Sequence, residues 1–354
     1  MDIRFNQIKK MILRAIAKTN LDTTELGQAK LLFNKTSFSA GIQNPELSTV
    51  IGKNALHVLI YGNDNFSIIG YALVEVKKKI LATIAFGPLC TDQNLFPALA
   101  NACVKALQDY GIKIVRYQPP FLNPSTWRDS LTLLQKSFIP FSLASELNMS
   151  TLILDISPSE EELINSFSAK HRWSIRKADK DDQVIIEQVV DLKDIGGFAE
   201  GFCKMYAARK LPFDLEVEKE RIKNLYAFNV TKRNGLILRM RKGSQLLGGI
   251  ILIRHNNTMI YFLGFSDPDH KSIPIHHSLF LKSFEIAKLS GCTYFDFGGY
   301  ARAENADEQL LNINKFKDGF NGKRIDHSDT ILIAKNFLYQ FLYKNYIKIV
   351  KRKK

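Results

Sequence analysis

The chain of 354 residues is long enough for two domains of ordinary size, and its 45% hydrophobic content supplies two cores. A formal net charge of +14, from 49 Lys and Arg against 35 Asp and Glu, points to nucleic acid, an anionic membrane surface or phosphorylated ligands, or serves solubility alone. The four cysteines (Cys90, Cys103, Cys203, Cys292) form no C-x-x-C pair, which argues against a disulfide framework or a zinc site and fits a reducing compartment.

In the first twenty residues Ile8, Met11, Ile12, Ala15 and Ile16 fall at helical spacing, with Lys9, Lys10, Arg14 and Lys18 interleaved. The apolar run is too interrupted for a signal peptide, and no stretch reaches the roughly 18 apolar residues a membrane span needs. A soluble cytoplasmic protein, working at the inner face of the membrane, is the expectation. His57–Tyr61, Ile68–Val76 and Ile80–Phe86 read as strands, the last two joined through Lys77, Lys78 and Lys79. A helix is predicted over Phe96–Tyr110, with Asn94 as its cap, Pro97 in the first turn and Gly111 as its stop. Ile112–Tyr117 is the next strand, ended by Pro119-Pro120.

Thr151–Ile156 is an apolar strand, followed by Ser157-Pro158-Ser159-Glu160, which predicts a capping box with Pro158 at the first helical position. The helix it opens is predicted to run to about Lys180, with Leu163, Ile164, Phe167, His171, Ile175 and Ala178 inward. Arg172, Arg176 and Lys180 then stack four residues apart, as a solvated charged face or as a phosphate-binding ridge. Further helices are predicted over Phe198–Ala208, with Arg209 just past it, and over Glu216–Ala227. Leu246–Arg254 and Thr258–Phe265 make a hairpin through Asn256-Asn257, and a helix from Ile275 to Ser290 stops at Gly291. The strand Thr293–Phe297 then ends in Gly298-Gly299, and a polar connection leads to Phe316-Lys317-Asp318-Gly319-Phe320. The chain closes with a basic, aromatic helix over Phe337–Lys354, which suits a membrane interface by composition.

The order hairpin, helix, strand occurs twice. Gly70 and Gly111 lie 41 positions apart and Gly249 and Gly291 lie 42 apart, and Gln135-Lys136-Ser137-Phe138 echoes Lys317-Asp318-Gly319-Phe320. A duplicated domain follows, with units expected over 1–150 and 151–334 and a terminal helix over 335–354.

Asp296 is an ionisable group in an apolar strand, where burial or a ligand shifts its pKa, and the Gly pair beside it lets a ligand approach the backbone. Asp296 accepts an amine's proton directly or through water, or else is a carboxylate hydrogen-bonded to its own loop. Lys317, as a cation, stabilises an oxyanion or holds phosphates, or else is a solvated surface lysine before a turn. No Ser/His/Asp or Cys/His nucleophile arrangement is evident. The adjacent His276-His277 point about 100° apart on a helix, so no metal site is expected.

In their order these pieces resemble the FemABX family, bacterial aminoacyltransferases built from two GNAT-like N-acyltransferase domains. The resemblance rests on Ala85-Phe86-Gly87-Pro88, on Ser168 through Ala178 (SAKHRWSIRKA), on Met205-Tyr206 with Arg209, on Tyr294-Phe295-Asp296-Phe297-Gly298-Gly299, and on Phe316-Lys317-Asp318-Gly319-Phe320. It runs from about residue 37 to 330. It implies an α/β (α+β) fold of two tandem GNAT-like domains, with mixed sheets flanked by helices. It further implies transfer of an amino acid from aminoacyl-tRNA to an amine of a peptidoglycan or related cell-envelope precursor, without a cofactor. Lys317 becomes the leading catalytic candidate beside Asp296, and Arg209 a contact to the precursor's phosphates. Arg172, Arg176, Tyr261, Gly298, Gly299, Tyr300 and Phe316 complete the expected substrate-binding set, and a compact monomer is expected. Two features depart from the family's pattern: Leu263 precedes Gly264 where an aromatic is expected, and the first domain lacks the usual precursor-binding Trp and Lys.

Two other readings stay open. An acyl-CoA-dependent N-acyltransferase acting on a sugar or polysaccharide precursor would share the fold. The segment Ser266–Pro274 speaks against it, since it has two prolines, two acidic residues and no glycine where backbone N–H groups would meet a pyrophosphate. A non-catalytic tRNA- or membrane-binding module fits the charge but leaves Asp296, Gly298 and Lys317 without a purpose.

Overall fold

The computed structural model describes residues 13–36, 38–120, 124–143, 149–178, 183–302 and 306–352. The chain forms two compact units: one reaches to Met149 and also takes Arg302 and the residues from Asp326 on, and the other holds Ser150–Ala301 and Ala306–Ile325.

The first unit contains β1 (Arg14–Lys18), α1 (Thr23–Asn34), β2 (Ala55–Tyr61), β3 (Ile68–Lys77), β4 (Leu81–Ala85), α2 (Phe96–Asp109), β5 (Ile114–Gln118), α3 (Pro124–Ser137) and β6 (Ile139–Phe141). The second contains β7 (Met149–Asp155), α4 (Glu160–Ser166), α5 (Ala169–Ala178), β8 (Val184–Gln188), α6 (Phe198–Ala208), α7 (Leu215–Tyr226), β9 (Gly235–Lys242), β10 (Gln245–His255), β11 (Thr258–Ser266), α8 (Ile275–Leu289), β12 (Tyr294–Ala301), α9 (Glu308–Asp318) and β13 (Lys323–Asp326). The chain then returns to the first unit with β14 (Ile331–Ala334) and α10 (Phe337–Arg352).

Each unit is built on a mixed sheet of seven strands, in the orders β1-β2-β3-β4-β5-β14-β6 and β8-β9-β10-β11-β12-β7-β13. The two orders match position for position. In each, five strands follow in chain order and the next is inserted out of order: β14 from beyond the second unit's strands, and β7 from just before its own five. One core gathers residues of β2 to β5 with Leu99, Cys103 and Leu107 of α2. The other gathers residues of β9 to β12 with Leu279, Phe280 and Phe284 of α8, and contains a cluster of six buried phenylalanines. There Phe284 meets Phe295 at 4.8 Å and Phe167 meets Phe320 at 5.2 Å, both edge to face.

Several local expectations change. Arg14–Lys18 pairs with β2 as an edge strand, so the helical spacing read through Ala15 and Ile16 does not govern there, and residues 1–12 lie outside the described residues. The capping box belongs to Ser159 and Glu162, which satisfy each other's backbone N–H groups, and Pro158 precedes the cap. The single helix predicted to Lys180 is two, because Phe167 turns extended after α4 and α5 begins anew at Ala169, with Lys180 outside the described residues. The polar connection before Phe316 contains helix α9, capped by Asp307. Gly298 and Gly299 do not end their strand: β12 continues to Ala301.

Candidate active site

The chemistry-bearing residues of the second unit gather around the Gly298-Gly299 segment of β12. Gly298 has φ +67°, and a Cβ there would lie 2.8 Å from the Tyr261 carbonyl oxygen on β11. Only glycine suits the position on both counts. The Gly298 N–H donates to Asp296 Oδ1 at 2.7 Å, and the Thr151 hydroxyl on β7 also donates to that oxygen. Asp296 is thus a buried carboxylate that fastens the bend. Burial pushes its pKa up, against the pull of Thr151, the Gly298 N–H and the charge on Lys317.

Lys317 is 5% exposed, in the last turn of α9, and its Nζ donates to the Gly299 carbonyl at 2.6 Å. It is therefore not a solvated surface lysine. Burial pushes its pKa down to about 8, while the Asp296 charge pulls it up. The ammonium and carboxylate influence each other across the Gly-Gly segment rather than through an ion pair. Asn314, one turn earlier on α9, holds the end of β12: its amide donates to the Ala301 carbonyl at 2.6 Å and accepts from the Ala301 N–H at 3.1 Å. A side-chain amide here stands in for a neighbouring strand.

The loop after α9 is fixed by His171 on α5. Its Nε2 meets the Phe316 carbonyl at 2.8 Å, and the Ser168 N–H donates to the Gly319 carbonyl at 2.9 Å. A Cβ on Gly319 would stand 2.1 Å from His171 Cε1, so the glycine of this motif makes room for the imidazole. His171 thereby ties α5, through the Phe316 carbonyl, to the turn of helix that carries Lys317.

A cavity of about 480 Å³ opens beside this framework, lined by Arg209, the Ser266–Pro274 loop apart from Asp269 and Ser272, the start of α8 and Phe316. Arg209 and Phe316 meet there, as do His276 and His277. Burial, then the Arg209 charge, pushes His276 down to about 4. Burial, then His171 and His276, pushes His277 down to about 3. Burial lowers His171 as well, so all three histidines are neutral at pH 7. Tyr261 packs on Phe280 at 5.0 Å, and the Tyr300 hydroxyl donates to Asp318 at 3.1 Å.

Arg172 and Arg176 do not line this cavity, and neither do Asp296, Lys317, Tyr261, Gly298, Gly299 and Tyr300. Arg172 turns its guanidinium to the carbonyls of Asn165 and Phe167, capping the end of α4, so it serves the helix break rather than a ridge of free cations. Arg176 is exposed, with the exposed Trp173 and Lys177 on the same helix. Among the described residues, no group of three His, Cys, Asp or Glu is placed to hold a metal ion, and the four cysteines are free.

In the loop from β11 to α8, four of the six N–H groups between Asp267 and Pro274 are already bonded. The N–H groups of Asp267, Asp269, His270 and Ile273 bond to Leu247 O, Asp267 Oδ1, Asp267 O and His270 O. Pro268 and Pro274 have none to give. Lys204 on α6 clamps the loop, at 2.6 Å from Asp267 and 2.8 Å from Asp269, and His270 Nδ1 lies 3.0 Å from the other Asp267 oxygen. Thr151, Asn314 and Lys204 carry no local motif, and the stretch from Ser168 gives no sign of what His171 holds. Only the three-dimensional pairing of β7, α5, α6 and α9 with this segment exposes them.

Residues 165–309 match the Acetyltransferase (GNAT) domain family. No curated protein matches the chain in sequence. Among solved structures, FemX aligns with a TM-score of 0.70 at 15% identity, over 93% of this chain and 99% of its own. A tandem GNAT protein from the clavulanic acid biosynthesis pathway aligns at 0.58 and 10% identity, over 92% of this chain and 99% of its own. L-PGS from Bacillus licheniformis aligns at 0.54 and 14% identity, over 89% of this chain and 92% of its own. The fold is a tandem GNAT-like one, two mixed seven-stranded sheets with helices, and its second half carries a GNAT-type N-acyltransferase domain.

Proposed function

We propose that the protein is an aminoacyltransferase that moves an amino acid from aminoacyl-tRNA to an amine of a peptidoglycan precursor or related cell-envelope acceptor. The observation that carries the choice of donor is the β11–α8 loop. A pyrophosphate at this helix start would need a row of free backbone donors, and this loop offers two prolines, only two N–H groups not already bonded, and two carboxylates. The FemX-like fold over nearly the whole chain supports the same reading.

In the proposed reaction a neutral amine attacks the aminoacyl ester carbonyl. The new C–N bond forms as the carbonyl oxygen becomes an oxyanion, the ester C–O bond then breaks, and the proton lost by the amine ends on the departing ribose oxygen. Lys317, as a buried ammonium, stabilises the oxyanion, where a low-dielectric setting makes one positive charge worth most. Asp296 acts as a positioning residue, since its inner oxygen is already committed to Thr151 and Gly298. Arg209 and Phe316 line the space in which a substrate would sit. The second reading, acyl-CoA-dependent transfer to a sugar or polysaccharide precursor, is favoured by the Acetyltransferase (GNAT) domain match.

Binding and turnover with charged tRNA and, separately, acetyl-CoA test the choice. Salt-sensitive binding of charged tRNA, with amide formation on an amine acceptor and no binding of acetyl-CoA, is the expected outcome. Tight acetyl-CoA binding with indifference to tRNA would replace this reading by the second.

A further inference from the structure

The terminal helix α10 is packed by one face only. Tyr339 and Tyr343 lie against Ile114, Phe141 and Leu332 of the first unit's sheet, with Tyr343 6.5 Å from Phe141 edge to face. The other face carries Phe337, Leu338, Phe341, Leu342, Tyr346 and Ile349, whose exposure runs from 51% at Leu342 and Tyr346 to 74% at Phe337. At about 100° per residue these side chains share one half of the helix, with Asn345 among them; Lys348 borders them, and Lys344 turns its Nζ over the Phe141 ring at 5.3 Å. The outward face is thus at least as apolar as the inward one. A helix that merely closed a sheet would present polar residues to water.

A second observation lies at the start of the same helix. The Ile80 N–H bonds to Lys77 O at 3.2 Å, Lys113 N–H to Ile80 O at 2.9 Å, and Lys335 N–H to Lys113 O at 3.1 Å. This ladder brings the β3–β4 turn, with Lys77, Lys78, Lys79 and a 52%-exposed Ile80, beside the entry to α10. Lys77 is 3.7 Å from Glu75, and Lys113 lies over the Tyr339 ring at 5.5 Å. These lysines stand at the positive end of a 16-residue helix, where their charge and the helix dipole add unless an anion is near.

We propose that this edge of the first unit docks on an anionic membrane surface, with the α10 stripe lying among the acyl chains and the lysine cluster on the headgroups. Aromatic and aliphatic side chains with a lysine margin suit the interface. None of the described helices is long and apolar enough to cross a membrane, so the contact is peripheral. The occupant is a lipid surface rather than a second copy of the chain because a copy would bring the same lysines against themselves. The proposal does not rest on the donor assignment: vesicle binding without tRNA binding would remove that assignment alone.

The test is co-sedimentation of the full chain with vesicles of phosphatidylcholine alone and of phosphatidylcholine with phosphatidylglycerol, at low and high salt. Binding to the anionic vesicles that weakens with salt is expected. Lys78→Glu with Lys79→Glu should weaken it by about 30-fold or more, from the worth of each basic residue near such a surface. Phe341→Ser with Leu342→Ser, both on the open face, should weaken it by about tenfold or more at an unchanged melting temperature. The absence of binding to anionic vesicles, or binding indifferent to both double variants, would overturn the proposal. Self-association of the wild type that Phe341→Ser with Leu342→Ser abolishes, without vesicle binding, would also overturn it, in favour of a second copy as the occupant.

Discussion

The two units share a strand plan and differ in where their sheets part. In the first, β4 stays paired with β5 over five residue pairs, from Leu81–Ile114 to Ala85–Gln118. Its opening lies instead between β3 and β4 beyond Val74–Ile84, and Gln43 fills it. The Gln43 amide donates to Leu73 O at 3.1 Å and Ala85 O at 2.6 Å and accepts from the Leu73 N–H at 2.7 Å. In the second, β11 and β12 pair over three residues, Thr258–Ile260 with Tyr294–Asp296, and then each runs on unpaired with the other. Counted from the first pair of these parallel strands, Asp296 and Gly298 occupy the places that Arg116 and Gln118 hold in the first unit. One unit closes its gap with a neutral amide, whereas the other edges its gap with a glycine bend, a buried carboxylate and a buried ammonium. If the proposed reaction runs at Lys317, a duplicated fold confines it to one unit by changing a few residues at one strand end.

The most forceful way to break this comparison is to make the second unit as neutral as the first. Lys317→Met should lower the transfer rate by about 10²- to 10³-fold, the usual cost of losing one oxyanion donor. The same variant should be more stable at pH 7. With a folded pKa of about 8 against an ordinary 10.5, the folded chain holds fewer protons than the unfolded one between those values. Stability therefore rises with pH across that window, and below pH 8 the full penalty for the buried charge applies. That penalty is about 3 kcal/mol, and losing the bond to Gly299 returns about 1 kcal/mol of it. Urea unfolding and single-turnover kinetics check the pair, and a variant that is both active and less stable would remove Lys317 from the mechanism.

The opposite experiment is on the first unit. Gln43→Leu leaves three backbone groups, two buried and one half-buried, without this partner and should cost about 3 kcal/mol of stability, with transfer per folded molecule unchanged. A fall in turnover larger than the fall in folded protein would mean that the first unit's gap is part of the reaction.

These two residues also mark what the sequence discloses. The strands, the long helices, the repeat and the Lys317 motif are legible because each rests on local periodicity, on a stop signal or on a short ordered pattern. Helix α6 even begins and ends at the residues read for it, Phe198 and Ala208. What is illegible depends on distant partners. Gln43 looks like any polar residue until β3 and β4 part around it, and β7 and β14 give no sign of the sheet they join. Arg172 reads as one of a row of cations, yet the break at Phe167, which a continuous apolar spacing hides, hands it two carbonyls to cap. Lys317 precedes a turn like a surface lysine, and only the packing of α9 against β12 buries it.

A finer test separates the two charges of the second unit. Asp296→Asn keeps an acceptor for the Gly298 N–H, and the Thr151 hydroxyl has the Gly298 carbonyl at 3.1 Å as a second acceptor, so the bend survives. Asp296 raises the Lys317 pKa, and its neutralisation should lower it further. If transfer needs the ammonium, the pH–rate profile of the wild type falls near pH 8, and in Asp296→Asn the fall moves to lower pH. Loss of transfer at every pH would instead make Asp296 the proton acceptor.

The smallest expected effect concerns the loop clamp, which has no ionic counterpart at Gln43. Lys204 is 46% exposed, whereas the Asp267 carboxylate it holds is 7% exposed. Burial raises the pKa of Asp267, but Lys204, the Asp269 N–H and His270 together bring it below the usual carboxylate value. Lys204→Met therefore leaves a carboxylate that still has three partners, the Asp269 N–H, His270 and Gln245, and the lysine side chain is nearly half in water. At low salt the variant should lose about 1 kcal/mol or less. At about 1 M salt, where exposed charges are screened within roughly 3 Å, it should match the wild type, whereas the cost of Gln43→Leu, which removes neutral buried hydrogen bonds, should not fade. Melting curves of the two variants at both salt concentrations give the comparison directly. A Lys204→Met cost that persists in high salt would mean that the stem's packing, rather than its charge, keeps the β11–α8 loop turned in on itself.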